Sequence, residues 1–544
     1  MRTFPIILFI LMISLFLGSC GGISERFGKP VMFGTAVRAN PLRLDEAYSD
    51  FVKNYFSCLV SENALKMWNI HPDKDEYYWD DMDEILRFAQ ENDLLLKGHT
   101  LVWHYSIPDW FYDLPSCEDR VNELREHIQT VAERYKGKIK IYDVVNEPLS
   151  DEILPGLLCM DEAQIIKETF TWVKEIDPQA SLSLNESGPE KSEEKREEFI
   201  ELVNDALSMG APIDLIGIQA HFKEALPPLE MLRNNILEIH RRTSLPIYIT
   251  EFDIAPPNDP KKPFMGFEDW YHYQMMAYRI AFDLFKKLDS VKMIYMWGFS
   301  DKYHWRPGAG LLDSTMKEKP VMETVGPLLI NSKMGGTDYY DSAYRGFHLG
   351  GEEVELIDSV NSHELTNWRV FYGPDVEIVD RKVNLPDVST VTSLVLKADV
   401  IGGGDYYEWY VILPNDIPTV PFEMECEDFP EKTLGNESMG YWNIWGDGYI
   451  STFFKVDEAG EYSLKLLCFG EYAHGEWPKI LLVVDEDDIA TVELNITEPE
   501  WFEFDLHLEE GAHRLMIFFL NDYYNPDTGE DRNVFLDKVR IEEK

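Results

Sequence analysis

Positive charge is scarce in this chain. Its 544 residues carry 98 Asp and Glu against 50 Lys and Arg, for a formal net charge of −48. Such a surface repels phosphate backbones, which excludes nucleic acid as a partner and leaves a neutral polymer untroubled by charge. No Cys-x-x-Cys pair and no Cys/His cluster occurs, so nothing suggests zinc. No glycine-rich phosphate loop follows the first apolar strand, which counts against a doubly wound open sheet, the runner-up architecture. The apolar run from Ile6 to Leu17 is too short to span a bilayer as a mature helix.

That run fits the apolar core of an export signal. The small residues just before Cys20 resemble a bacterial lipoprotein signal over residues 1–20, with lipidation of Cys20. The expected location is the bacterial cell surface or outer membrane, touching membrane only through that lipid, with the chain a monomer. An ordinary secretory signal that contains a cysteine is the alternative. Five other cysteines remain, so at least one has no partner within the chain. Cys58 sits in an apolar run and reads as a core thiol. Cys117 with Cys159, or Cys426 with Cys468, could close in an oxidising compartment.

A hydrophobic fraction of 45% and a length of 544 residues predict a globular chain of two or three domains. From 28 to 330 one unit recurs: an apolar strand, a polar loop and an amphipathic helix. The strands are expected at 31–37, 56–63, 94–103, 140–147, 180–187, 215–222, 246–254 and 292–301. Near-continuous apolar strands alternating with helices mean a parallel sheet covered on both faces. Eight units in about 300 residues predict a (β/α)8 TIM barrel. "NSKMGGTD" (331–338) reads as a linker. Beyond it, short alternating runs predict all-β sandwich modules, one at 338–420 with no legible role and one at 422–544.

The strand candidates end on polar or aromatic residues: Glu62-Asn63, His99 and Trp103, Asn146-Glu147, Asn185, Gln219 and His221, Glu251 and Asp253, Trp297 and Asp301. In such a barrel all strand C-termini open onto one face, so these residues are expected to share one pocket. Any one of them is as well explained as a polar strand exit; the whole set is not. Glu147 and Glu251 stand out, because glycoside hydrolysis needs two carboxyl groups flanking the scissile bond, roughly 5–5.5 Å apart in retaining enzymes. Asn146 beside the first, and His221 oriented by Asp253 beside the second, are the expected tuners.

Six ordered segments carry a resemblance: "SENALKMW" (61–68), "KGHTLVWH" (97–104), "DVVNEP" (143–148), "IGIQAHF" (216–222), "ITEFDI" (249–254) and "MWGFSDKYHWRPG" (296–308). With this spacing, residues 30–330 resemble family 10 glycoside hydrolases, the endo-β-1,4-xylanases. The resemblance implies Glu147 as acid/base, Glu251 as nucleophile and His221 as its support. It implies Glu62, Asn63, Lys66, His99, Trp103, Asn146 and Gln219 along the sugar sites, Trp297 and Trp305 as stacking faces, and no cofactor for catalysis. The implied substrate is xylan, cut internally with retention; another β-linked glycan, or glycan binding without catalysis, are the alternatives. The chain departs from the family at Tyr142, where Trp is usual, at Ser106, and at "NES" (185–187), changes expected to bear on subsite preference.

The last 80 or so residues, with "GEWP", "FLNDYY" and "GEDRNVFLDKV", resemble calcium-dependent xylan-binding modules. The resemblance and the hard oxygens of Asp522, Asp527, Glu530 and Asp531 suggest Ca2+ there; a solvated acidic loop is the alternative. Tyr441, Trp442 and Trp445 either stack on sugar or pack in the core.

Overall fold

The computed structural model describes residues 31–544 except 151–152, 337, 434, 439, 447, 486 and 526–528. Cys20 and Asp527 therefore lie outside the described residues.

The parallel sheet runs β1 (Met32–Val37), β2 (Cys58–Ser61), β3 (Leu95–Gly98), β4 (Ile141–Asn146), β5 (Ser181–Glu186), β6 (Leu215–Ile218), β8 (Ile247–Ala255) and β9 (Val291–Met296). Every neighbour pairs in parallel and β9 returns to β1, which closes an eight-stranded barrel. The expected strand 215–222 is divided. Ala220 adopts a left-handed φ of 60°, and a short β7 (His221–Lys223) resumes alongside the far end of β8. The seventh repeat of the sequence is thus β8.

Helices sheathe the barrel, and one large core packs between them and the strands. Inside, residues from many strands, among them Ala36, Cys58, Ile141, Leu215, Tyr248 and Tyr295, fill the lumen. A Cβ on Gly34 would meet the Tyr295 ring at 2.5 Å, so glycine on β1 makes room for the tyrosine across from it. Cys58 is buried among these residues as a free thiol. Toward the mouth the lumen turns polar, beginning with Lys97 and Asp143, both fully buried and ion-paired.

Two β-bulges aim the mouth. On β4 the register shifts between Asp143 and Val145, so alternation skips a residue and Asn146 faces inward after Asp143. On β8 it shifts between Ile249 and Phe252, so Thr250 and Glu251 turn to the lumen while Ile249 and Phe252 stay in the outer core. Glu251 therefore lies within its strand and does not close it.

The supposed linker "NSKMGGTD" begins inside a helix, Val321–Met334, which stops at Gly335 in the left-handed conformation that glycine adopts without strain. The strands beyond do not form a tethered appendage. Tyr339–Leu349, Gly404–Leu413, Thr392–Val400 and His363–Tyr372 make a sheet against the barrel helix Trp270–Lys287. Arg279 of that helix is fully buried, paired with Asp283 at 2.5 Å and with Asp405 of the sheet at 3.1 Å. The final sandwich faces a six-stranded sheet against a five-stranded one. Its own core includes Cys426 and Cys468, both free thiols. Cys117 and Cys159 form a disulfide, and Cys117 opens the helix Cys117–Tyr135.

Candidate active site

Glu147 follows β4 directly and is half-buried. Its φ of 52° is left-handed, a conformation that costs a side-chain-bearing residue energy and persists only where surroundings impose it. Here they do. Its backbone N–H donates to the Asn185 carbonyl at 2.8 Å. Gln219 donates to its Oε1 at 2.6 Å and Trp103 Nε1 to its Oε2 at 3.0 Å.

Glu251 is 4% exposed. Its Oε1 accepts from Asn185 Nδ2 at 2.7 Å and its Oε2 from His221 Nε2 at 3.3 Å. Burial pushes this carboxyl up, but the charge of His99 and the hydrogen bond and charge of His221 outweigh it and hold the group below the usual carboxylate range. His221 donates its other ring N–H, Nδ1, to Asp253 at 2.8 Å. With a carboxylate on each nitrogen, the ring carries both protons. Burial lowers its pKa, and the charge and hydrogen bond of Asp253 and then of Glu251 reverse that, to about 9. Asp253 also accepts from Trp305 Nε1 at 2.7 Å and from Arg306 at 3.0 Å, and against its burial the charge and hydrogen bond of His221, then the charge of Arg306, keep it below its ordinary range.

The two glutamates share one polar network. Asn185 Nδ2 donates both to Glu251 and to Asn146 Oδ1, each at 2.7 Å, and Gln219, which holds Glu147, reaches the same Asn146 oxygen at 3.3 Å. Thr250 fixes Asn185 by donating to its Oδ1 at 2.6 Å. On one flank His99 Nδ1 bonds Asp143 at 2.9 Å and lies 3.8 Å from Glu251. There Arg38 clasps both oxygens of Glu62, Asn63 bonds Glu62, and Lys66 bonds Asn63 at 2.9 Å while lying over the Trp103 ring. Trp297 is buried edge-on to His99, and Trp305 is 46% exposed, edge-on to His221.

The barrel residues expected at the site thus meet at this mouth, except Asp301, whose carboxylate accepts from the Gly310 N–H at 2.8 Å and from Lys319 Nζ at 3.2 Å. Thr250, Asp143 and Lys97 join the mouth although the sequence does not single them out as site residues. Asn185, expected only as one of the strand ends facing the pocket, links Glu251 to Asn146, and the alternation of "ASLSLNES" is the signal for its direction. Two departures lose their force as cleft changes. Tyr142 is fully buried in the outer core, and Ser106 is buried with its hydroxyl on the Trp103 carbonyl. Ser187 does border open space.

The acids of the terminal module are arranged differently. Glu530 and Asp531 adjoin on one strand of a two-stranded hairpin, so they project to opposite faces. Among the described residues no three His, Cys, Asp or Glu side chains are grouped as a metal site, and Asp527, which completes the expected set, lies outside those residues. Trp445 is exposed and Tyr441 and Trp442 half-buried, so none of the three is sealed in the sandwich core.

Residues 463–544 match the family model described as "Ca-dependent carbohydrate-binding module xylan-binding". Residues 23–327 match "Glycosyl hydrolase family 10". The chain is 30% identical over 339 residues to endo-1,4-beta-xylanase C of Paenibacillus barcinonensis, covering 55% of this chain and 31% of that one. It is 32% identical over 297 residues to endo-1,4-beta-xylanase B of Thermotoga neapolitana, covering 52% of this chain and 84% of that one. Xylanase 10B from Thermotoga petrophila RKU-1, solved in complex with xylobiose, superposes with a TM-score of 0.50 at 31% identity, over 56% of this chain and 95% of that one. With a closed parallel barrel, two networked glutamates at its mouth and a family match across that whole barrel, the chain belongs to glycosyl hydrolase family 10.

Proposed function

We propose that this chain is a retaining endo-β-1,4-xylanase, with Glu251 as nucleophile and Glu147 as acid/base. One observation carries the reading: the network Glu147–Gln219–Asn146–Asn185–Glu251, which sets an accessible carboxyl and a buried, ionised one side by side. The relatives named as xylanases, and the match of the terminal module to a xylan-binding family, support xylan as the polymer.

In the first step Glu251 attacks the anomeric carbon while the glycosidic C–O bond breaks, and the proton of Glu147 goes to the departing oxygen. In the second, Glu147 takes a proton from water, the water oxygen attacks the same carbon, and Glu251 leaves. The imidazolium of His221 and the nearby His99 keep Glu251 ionised for the attack. The Arg38–Glu62–Asn63–Lys66 chain and Trp297 present fixed hydrogen-bonding groups and a ring face to sugar on one flank. Trp305 offers an exposed stacking face. Lipidation at Cys20 would hold the enzyme at the bacterial surface, and fatty-acid labelling lost in Cys20→Ser tests that part.

The experiment for the chemistry is hydrolysis of xylo-oligosaccharides followed by proton NMR. The β-anomer is expected first. Initial α-product would refute retention, and no release from xylan while another β-glycan is cut would refute the substrate.

A further inference from the structure

A cavity of about 710 Å³ opens where the barrel mouth meets the final sandwich. This lies within the range of roughly 300–1,000 Å³ typical of ligand sites. From the barrel it is lined by His221, Lys223 and Arg306; from the sandwich by Tyr449, Phe518 and Asn521. His221 bonds Glu251 and Arg306 bonds Asp253, so the cavity begins at the catalytic machinery. It leads away from the opposite flank, where Arg38 and Asn63 border a different cavity.

The sandwich wall is fixed in place. Tyr449, Phe453, Leu481, Val483 and Met516 belong to the same continuous core as the barrel helices. Lys479 of the sandwich pairs with Glu194 of the barrel helix Glu193–Ser208. Tyr449 and Phe518 pack with ring centroids 5.1 Å apart at one side of the space. Lys223 is exposed on the other, and Asn521 sits at the rim, half-buried. Sugar rings are recognised by this combination, an aromatic face for the C–H surface and polar groups for the hydroxyls.

Resting on the xylanase reading above, we propose that the cleft between barrel and sandwich is a further glycan subsite, in which the sandwich supplies the aromatic wall for a neutral β-1,4-linked chain running past the catalytic centre. The terminal unit then has two uses of its surface, and this one acts on the chain being cut. Longer substrates reach the wall and short ones do not, so the signature is dependence on chain length.

The test compares kcat/KM for xylohexaose and xylotriose in the full chain and in Phe518→Ala and Phe518→Leu, with melting temperatures recorded. Leucine keeps apolar bulk and loses the flat face, which ordinarily leaves a fold intact. The hexaose-to-triose ratio is expected to fall about tenfold for Phe518→Ala and about threefold for Phe518→Leu, and end-labelled hexaose should be cut at shifted positions. A ratio and cleavage pattern matching wild type in the folded variants would overturn the inference and leave the xylanase reading standing. Should the alanine variant not fold, the leucine variant decides alone. If the wild type cuts no xylo-oligosaccharide at all, the xylanase reading falls and this inference falls with it.

Discussion

The barrel mouth and the terminal hairpin are both rich in acids, and they treat them in opposite ways. At the mouth, Glu147 and Glu251 come from strands far apart in sequence and meet in one hydrogen-bonded network. In the hairpin, Glu530 and Asp531 are chain neighbours and point apart. Parallel strands around a closed barrel send all their C-terminal ends to one place. A single antiparallel strand alternates its side chains between two faces. Nearness in sequence is therefore a poor guide to a shared site, and equivalence of position in the fold is a good one.

The sharpest way to break this comparison is to remove one carboxylate of the mouth. Glu251→Ala loses the covalent step, and kcat is expected to fall by about 10⁴-fold or more, with binding to insoluble xylan retained. Near-normal hydrolysis by that variant would show that the mouth is no more a catalytic site than the hairpin. Glu147→Ala comes next, at roughly 10²–10⁴-fold, the usual worth of a positioned general acid. Its loss should shrink on aryl xylosides whose leaving group needs no proton. An equal loss on both substrates would remove Glu147 from that role.

A smaller effect separates the charged support from the pair itself. His221→Ala takes away a cation that lowers Glu251, so the acid limb of kcat/KM should move to higher pH, with a loss of about ten- to a hundredfold at its optimum. The same ring bears on stability. Its folded pKa is raised from 6.5 to about 9, so its contribution is full below 6.5 and is lost as pH rises through about 9. Asp253 is lowered, so its contribution is present above its unfolded pKa and is lost only as pH falls through the depressed folded value. Thermal melting across pH should show the drop between 6.5 and 9 in wild type and a weaker one in His221→Ala. An unchanged slope would mean that the ring is not charged in the folded protein.

Much of the mouth was legible because its residues sit at strand ends, and a parallel barrel turns that one-dimensional fact into a place. What escaped was set by bulges and packing. No alternation rule locates the register shifts on β4 and β8, so nothing in the sequence tells that Thr250 and Glu251 both turn to the lumen in mid-strand, with the strand running on to Ala255. Tyr142 read as a possible cleft change because its position in the motif carries no direction; the fold points it outward. The union of barrel and sandwiches was hidden for a different reason. Tyr449, Phe453 and Met516 have the character of any sandwich core residue, and nothing in the sequence says that the surface they fill belongs to another unit. Likewise Cys117 and Cys426 looked equally ready to pair, and only the first meets its partner.

The hairpin yields the finest distinction. The terminal module matches a calcium-dependent family, while strand alternation allows only one of Glu530 and Asp531 to face a given ion. Arg532 lies on the face of Glu530, two residues along, and its guanidinium is held there by the carbonyls of Asn521 and Ala473. A fixed cation on that face opposes a second one, so Asp531 is the acid expected to matter. Calorimetric titration of the intact chain with calcium should then show Asp531→Asn weakening affinity by about tenfold and Glu530→Gln by less than about twofold. Xylan retention should follow the same order, and xylotriose turnover should not change. If both substitutions weaken calcium equally, the hairpin gathers its neighbouring acids after all, and its contrast with the barrel mouth disappears.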